Sequence, residues 1–229
     1  MPSGRPRVAG LLPVRLQSVR CPNKALRPFA GSSLTRLALE KLAQSEAADT
    51  VYFAAHEEEL LELARDVPRV RVIRRSRASA LGEDGPTIYD FMAEIEEPII
   101  ATLNACAPFV RVATYDRAIR EFIASGARSL LPVVETQEWY FDETGRPLNA
   151  PGASVINSKM LPKVYRATHP FTIYYKDRFL TDFRVWHFAP DDPRLFHVAE
   201  DEAIDIDTAF QFEAAEALYQ ARLARAVVA

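Results

Sequence analysis

The chain has 229 residues, 48% hydrophobic and 26% charged, which is enough for one α/β domain with a full core. A formal net charge of −3 and a pI near 5.9 exclude a general nucleic-acid coat, because such binding needs clustered cations to neutralise many phosphates. Cys21 and Cys106 lie far apart without a CxxC partner, which points away from a disulfide framework or zinc knuckle and toward a reducing, cytoplasmic setting. The basic start MPSGRPR precedes an apolar run too short for a signal peptide, and no stretch approaches membrane-spanning length.

Taken in order, the segments alternate between two periodicities. Val8 to Val14 carries no charged residue, as expected of a strand covered on both faces. Ser33 to Gln44 places Leu34, Leu37, Ala38 and Leu42 on one helical face, with Ser32 or Ser33 as N-cap. Thr50 to Ala55 reads as a strand and Glu57 to Arg65 as a helix with acid at its start. Arg69 to Arg74 is a third strand, Thr87 to Glu94 a helix, Pro98 to Leu103 a buried strand, Thr114 to Ser125 a helix and Ser129 to Val134 a strand. This strand–helix alternation is the signature of a doubly wound sheet.

After Glu135 the alternation breaks. Trp139 to Leu148 predicts a hairpin around a Glu-Thr-Gly turn, followed by a loop-rich stretch to Lys163. Three successive aromatics in such a hairpin favour an arm, residues 136–166, that packs on a second subunit. The single domain of residues 1–229 then resumes with strands at Phe171 to Tyr175, Val185 to Phe188 and Leu195 to Val198, a short helix near Asp177 to Thr181, and a closing helix from Thr208 to Arg225.

Four stretches carry chemistry. The loop from Pro13 to Gly31 holds Arg15, Arg20, Lys24 and Arg27 with no acid, and Pro22 and Pro28 restrict its backbone; it is either a site for a polyanion or a solvated basic loop. Near the other end, an extended Ala203 to Asp207 points Asp205 and Asp207 to one face and Ile204 and Ile206 to the core. Two carboxylates so placed suit a hard cation such as Mg²⁺, whereas capping of the last helix would account for Asp207 alone. Arg77 to Thr87 and Leu103 to Arg111 both follow strands, at the edge where open sheets bind ligands, and offer the Arg77 fork and the Asn104 amide.

Together these residues resemble the sugar-activating cytidylyltransferases, nearest to the N-acylneuraminate (CMP-sialic acid synthetase-like) group. That family's P-A-R-x-x-S-K-x-x-P-x-K-N signature is matched by Pro13, Arg15, Ser18, Pro22 and Lys24, with Val19 for the first lysine and Ala25 for the asparagine. Its R-P-x-x-L-A-x-D stretch keeps Arg77, Leu81 and Asp84, and its Q-P-T-S-P-L-R turn keeps Pro108. Its I-D-I-D-x-x-x-D-x-x-x-A-E ending falls on Ile204, Asp205, Ile206, Asp207, Ala215 and Glu216, with Gln211 in place of the third acid. The Ser-Thr-Asp turn common in the family reads Ala54-Ala55-His56 here, and Leu16 and Gln17 stand where small residues are usual. The related Kdo enzymes fit the first loop better through Arg20 and Leu26, but they carry a metal aspartate where this chain has Asn104.

The resemblance implies a three-layer, Rossmann-like nucleotidyltransferase fold, α/β with a mostly parallel sheet, and a homodimer joined through the β-hairpin arm. It implies that an acidic sugar attacks the α-phosphorus of CTP to give CMP-sugar and pyrophosphate. Arg15, Lys24 and Asp207 would be catalytic; Arg15, Ser18, Arg20, Lys24, Arg77 and Asn104 would hold the nucleotide, and Asp205 and Asp207 the Mg²⁺. Acceptor contacts would come from Asn104, Tyr165, Arg166 and Phe171. No nucleic acid or membrane partner is implied. The alternatives are transfer of a cytidylyl or guanylyl group to another sugar or a phosphonate, or a non-catalytic nucleotide-binding dimer.

Overall fold

The computed structural model describes residues 4–150 and 156–228. Its elements are β1 (Val8–Pro13), β2 (Pro28–Phe29), β3 (Ser32–Ser33), α1 (Leu34–Gln44), β4 (Thr50–Ala55), α2 (Glu58–Glu62), β5 (Val70–Arg74), α3 (Arg77–Leu81), α4 (Gly85–Ile88), β6 (Ile99–Leu103) and α5 (Val112–Ser125). There follow β7 (Ser129–Thr136), β8 (Val164–Ala167), β9 (Phe171–Tyr175), α6 (Lys176–Asp182), β10 (Arg194–His197) and α7 (Ala209–Val228).

The main sheet runs β10-β7-β9-β6-β1-β4-β5, with β8 pairing along β7. The β5, β4, β1 and β6 strands are mutually parallel, β10 is parallel to β7, and β9 is antiparallel to both of its neighbours. This is an α/β fold with a mostly parallel mixed sheet. Side-chain alternation divides the core into two layers. Val8 and Leu12 of β1, Val51 and Phe53 of β4 and Ile99 and Ala101 of β6 pack with Leu39, Leu42, Ile119 and Phe122 of α1 and α5. Ala9, Leu11, Tyr52 and Ile100 face the other way, against Phe91, Met92, Ile95 and Phe179. Gly10 permits the first packing, since a Cβ there would lie 3.1 Å from the Ala48 Cβ and 3.4 Å from Leu42.

Several expectations are corrected. The helix predicted over Thr87 to Glu94 is instead α4, started by Asp84 accepting from Thr87 N, and a separate 3₁₀ turn at Asp90–Glu94; Tyr89, at φ −109 and ψ 20, separates them. The stretch after Arg77, expected to be loop, contains α3, because Ser76 caps it by accepting from Ser79 N. Val185 to Phe188 is not a strand; it lies in a loop where Phe183 and Phe188 both take left-handed backbone angles. The hairpin at Trp139 to Leu148 is reduced to one bridge, Phe141 with Pro147, because Asp142 draws Thr144 N and Arg146 N onto one carboxylate oxygen. Residues 151–155 of the expected arm lie outside the described residues.

Phe122 is fully buried between α5 and the sheet, beside Tyr175 at 5.4 Å between ring centroids. Phe122→Ala is expected to lower stability by about 3–5 kcal/mol, measured as a shift in the urea midpoint with little change in slope.

Candidate active site

The order β6-β1-β4 places a crevice at the carboxyl edge, because the chain leaves β1 toward β4 on one side and β6 flanks it on the other. The loops that follow β1 and β6 therefore face each other there. Between them lies a cavity of about 420 Å³.

The β1 loop enters it through a tight turn. Leu26 N and Arg27 N both donate to Asn23 O, and Asn23 takes φ 56, a left-handed value that its short polar side chain tolerates. Cys21 and Ala25 are buried on either side, and this turn aims Lys24 inward. Lys24 Nζ donates to Ile206 O at 2.6 Å and lies 3.5 Å from Asp207 Oδ1, while Arg20 Nη2 reaches the same carboxylate oxygen at 2.9 Å. Burial works to lower the Lys24 pKa, but Cys106, Asp207 and Asp205 outweigh it, so the ammonium is held above its ordinary value.

The acidic strip is fixed from three directions. Glu202 is buried and accepts from Arg111 N at 2.8 Å and Thr114 Oγ1 at 3.1 Å, tying the strip to the start of α5. Ile206 is fully buried and its N–H donates to Cys106 O. Thr208 and Gln211 then form a capping box: Gln211 N donates to Thr208 Oγ1, and Gln211 Oε1 accepts from Asp207 N and Thr208 N. Thr208 rather than Asp207 is thus the cap, which leaves the Asp207 carboxylate to the cations.

Asp205 is held against Asn104, whose Nδ2 is 3.4 Å from Asp205 Oδ1 and 3.0 Å from His169 O. The same amide accepts from Cys106 N through Oδ1 at 2.9 Å. Burial, then the neighbouring Asp207 charge, push the Asp205 carboxyl above the usual range. Burial also raises the Cys106 thiol, although Lys24 opposes it.

Arg15, Ser18, Arg20, Lys24, Asn104 and Asp207 line one cavity, together with Gln17, Val19 and Cys106, whose part in it the sequence did not indicate. Asp205 and Asp207 also border a second groove of about 410 Å³ beside Arg166, Phe210 and Leu218. Arg77 stands apart, exposed in the first turn of α3 and outside that lining. Arg27 turns away to lie 4.4 Å over the Phe212 ring. The arginine that reaches the interior is Arg75, two residues beyond the buried Ile73 and so on its face of the strand, a period-two signal that burial alone makes readable.

Residues 9–228 match the family described as cytidylyltransferase. The chain belongs to the cytidylyltransferase family. It is therefore a nucleotidyltransferase that uses CTP. Among solved structures it is similar to a CMP:2-keto-3-deoxy-manno-octonic acid synthetase complexed with CTP, at 14% identity and a TM-score of 0.70 over 94% of this chain and 99% of that one. It is also similar to 4-diphosphocytidyl-2C-methyl-D-erythritol synthase from Anaerococcus prevotii, at 10% identity and a TM-score of 0.66, again over 94% and 99%. Comparison with curated proteins gave no match. At these identities the solved structures establish a shared fold. No helix of the described residues is long and apolar enough to cross a membrane.

Two predictions concern the frame of this cytidylyltransferase site. Arg20 and Asp207 are both partly exposed, so Arg20→Ala should change stability by no more than about 1 kcal/mol in thermal or urea melts. Lys41 of α1 donates to Pro108 O and to Val110 O at 2.9 Å, fastening the β6 loop, and burial lowers its pKa to about 8 while Glu202 opposes the shift. Its unfolded pKa of 10.5 exceeds the folded one, so between these values the unfolded chain binds more protons and stability rises with pH. Urea midpoints of the parent should therefore gain on those of Lys41→Met as pH climbs from about 8 to 10.5.

Proposed function

We propose that the protein activates an acidic sugar of the nonulosonate class with CTP, giving CMP-sugar and pyrophosphate. The observation that carries this reading is the meeting of the acid-free basic loop with Asp207, and with Asn104 that holds Asp205 beside it, at the sheet's switch point, in a chain of this family. Arg15, Arg20 and Lys24 bind the triphosphate, Ser18 offers it a hydroxyl, and Asn104 holds the acceptor side. Lys24 and Arg15 steady the negative charge that builds on the phosphoryl oxygens as pyrophosphate leaves.

The donor set fits Mg²⁺. Asp205 and Asp207 would supply two hard oxygen ligands, and burial and then the Asp207 charge raise the Asp205 pKa, a cost that a bound cation would relieve. An ion held by two carboxylates would take its remaining ligands from substrate phosphates and water. Bound there, it would polarise phosphate oxygens and offset their charge. Arg20 and Lys24, which share the Asp207 oxygen, are placed to bind the phosphates themselves.

We further assign the chain to one domain with an arm over 136–166, a cytoplasmic setting, and a homodimer joined through that arm. Trp139, Phe141, Leu148 and Met160 are exposed along it, an apolar surface suited to a second copy. Light scattering tests this, and a monomeric mass would refute it.

Pyrophosphate release on mixing the protein with CTP, Mg²⁺ and a panel of nonulosonic acids tests the reaction. Asp207→Ala and Lys24→Ala should each lower kcat/KM for CTP by at least about a hundredfold. If none of the acids releases pyrophosphate while a neutral sugar or a phosphonate does, the acceptor class is wrong. If CTP also fails to raise the melting temperature, the nucleotide reading falls with it.

A further inference from the structure

Arg75 is a buried cation without an acid of its own. Only 3% of its surface is accessible, yet its bonds run to neutral groups: Nε donates to Ser79 Oγ at 3.1 Å, and Nη2 donates to Ser79 O at 2.6 Å and Ile88 O at 3.0 Å. Its guanidinium lies 5.0 Å over the Phe91 ring. Asp90, Tyr89 and Glu57 are near enough to favour its charge, but none of them bonds to it among the described residues, and Glu57 Oε2 is itself buried without a partner. Burying a charge in this way costs several kcal/mol unless something offsets it, by the usual order of magnitude. A methionine of similar length would fill the space without that cost.

A second cation lies close to Arg75. Arg15, in the lining of the nucleotide cavity, donates through Nη1 to Gly82 O at 3.3 Å, so both arginines are held on the same short helix, Arg75 at Ser79 in the middle of α3 and Arg15 at Gly82, its C-cap. Burial, then the Arg15 charge, lower the Arg75 pKa, but a guanidinium so shifted remains protonated. Two like charges held close by neutral carbonyls are stabilised together by an anion between or before them.

We propose that Arg75 is a positioning residue for CTP: fixed behind Arg15, it adds a permanent buried positive charge that turns Arg15 toward the cavity and strengthens its hold on the triphosphate. Arg75 itself touches no reacting atom. Its potential crosses a low-dielectric interior, where salt screens it little, so its effect falls on the phosphates rather than the base. The inference rests on CTP occupying that cavity.

The test compares CTP with cytidine by calorimetric titration in Mg²⁺ buffer. Arg75→Gln removes the charge and leaves a polar amide in the same space. It should weaken CTP about tenfold while cytidine changes less than about twofold. Melting curves show whether that variant is folded, and Arg75→Lys serves as a second variant. It keeps a positive charge at this position, so CTP should bind within about threefold of the parent. Equal losses for CTP and cytidine, or a folded Arg75→Lys protein that loses CTP binding as fully as Arg75→Gln, would overturn the proposal. Parent protein that binds neither compound would instead overturn the nucleotide reading beneath it, a result the parent titration shows on its own.

Discussion

The site depends on one ammonium group. Lys24 reaches from the loop after the first strand to the carbonyl of Ile206 and the carboxylate of Asp207, residues more than 180 positions further along the chain. A charge-assisted bond to a backbone carbonyl fixes a direction as well as a distance, and here it sets the cationic loop against the acidic strip. Apolar packing supports the contact from beneath. Cys21, Phe29, Leu34, Phe109, Ile206 and Phe212 form a small core of their own, separate from the two layers that flank the sheet. Loop, strip and last helix are therefore packed as one unit, while the sheet supplies the crevice in which they meet.

Within this body, charge is arranged by subtraction as much as by contact. Thr208, with Gln211, does the capping work that Asp207 would otherwise do, Glu202 takes the Arg111 N–H at the start of α5, and Asn104 neutralises no charge at all. What remains is a carboxylate pair facing cations, with Asp205 strained toward its protonated form by burial and by its neighbour. Such a pair gains most from a ligand that brings positive charge to the aspartates and negative charge to the loop, as a metal–triphosphate does.

Much of this frame was legible in the chain. The strands β1, β4, β6 and β9 fall within a residue of their expected bounds, because strands buried on both faces read as apolar runs. The segment from Arg75 to Glu94 was not legible, since α3 and α4 are short and owe their existence to single caps, Ser76 and Asp84, rather than to periodicity. The same holds for β8, whose Val164–Ala167 has no pattern of its own and is a strand only because β7 runs beside it. Of the site, the basic loop and the acidic strip could be named from composition. Which of Arg75 and Arg77 turns inward could not, because Ser76 caps α3 between them and takes Arg77 out of the strand's alternation.

The joining of the first loop to the last helix also bears on how the molecule comes into being. Domains fold as they emerge from synthesis, at about 5–20 residues per second, and β1, β4, β5 and β6 have all emerged by Leu103. The Lys24 bonds to Ile206 and Asp207 wait for the end of the chain, and Ala30 N awaits Glu216 Oε1. The bonds that close the candidate site thus span most of the described chain and form only once its last helix has been made.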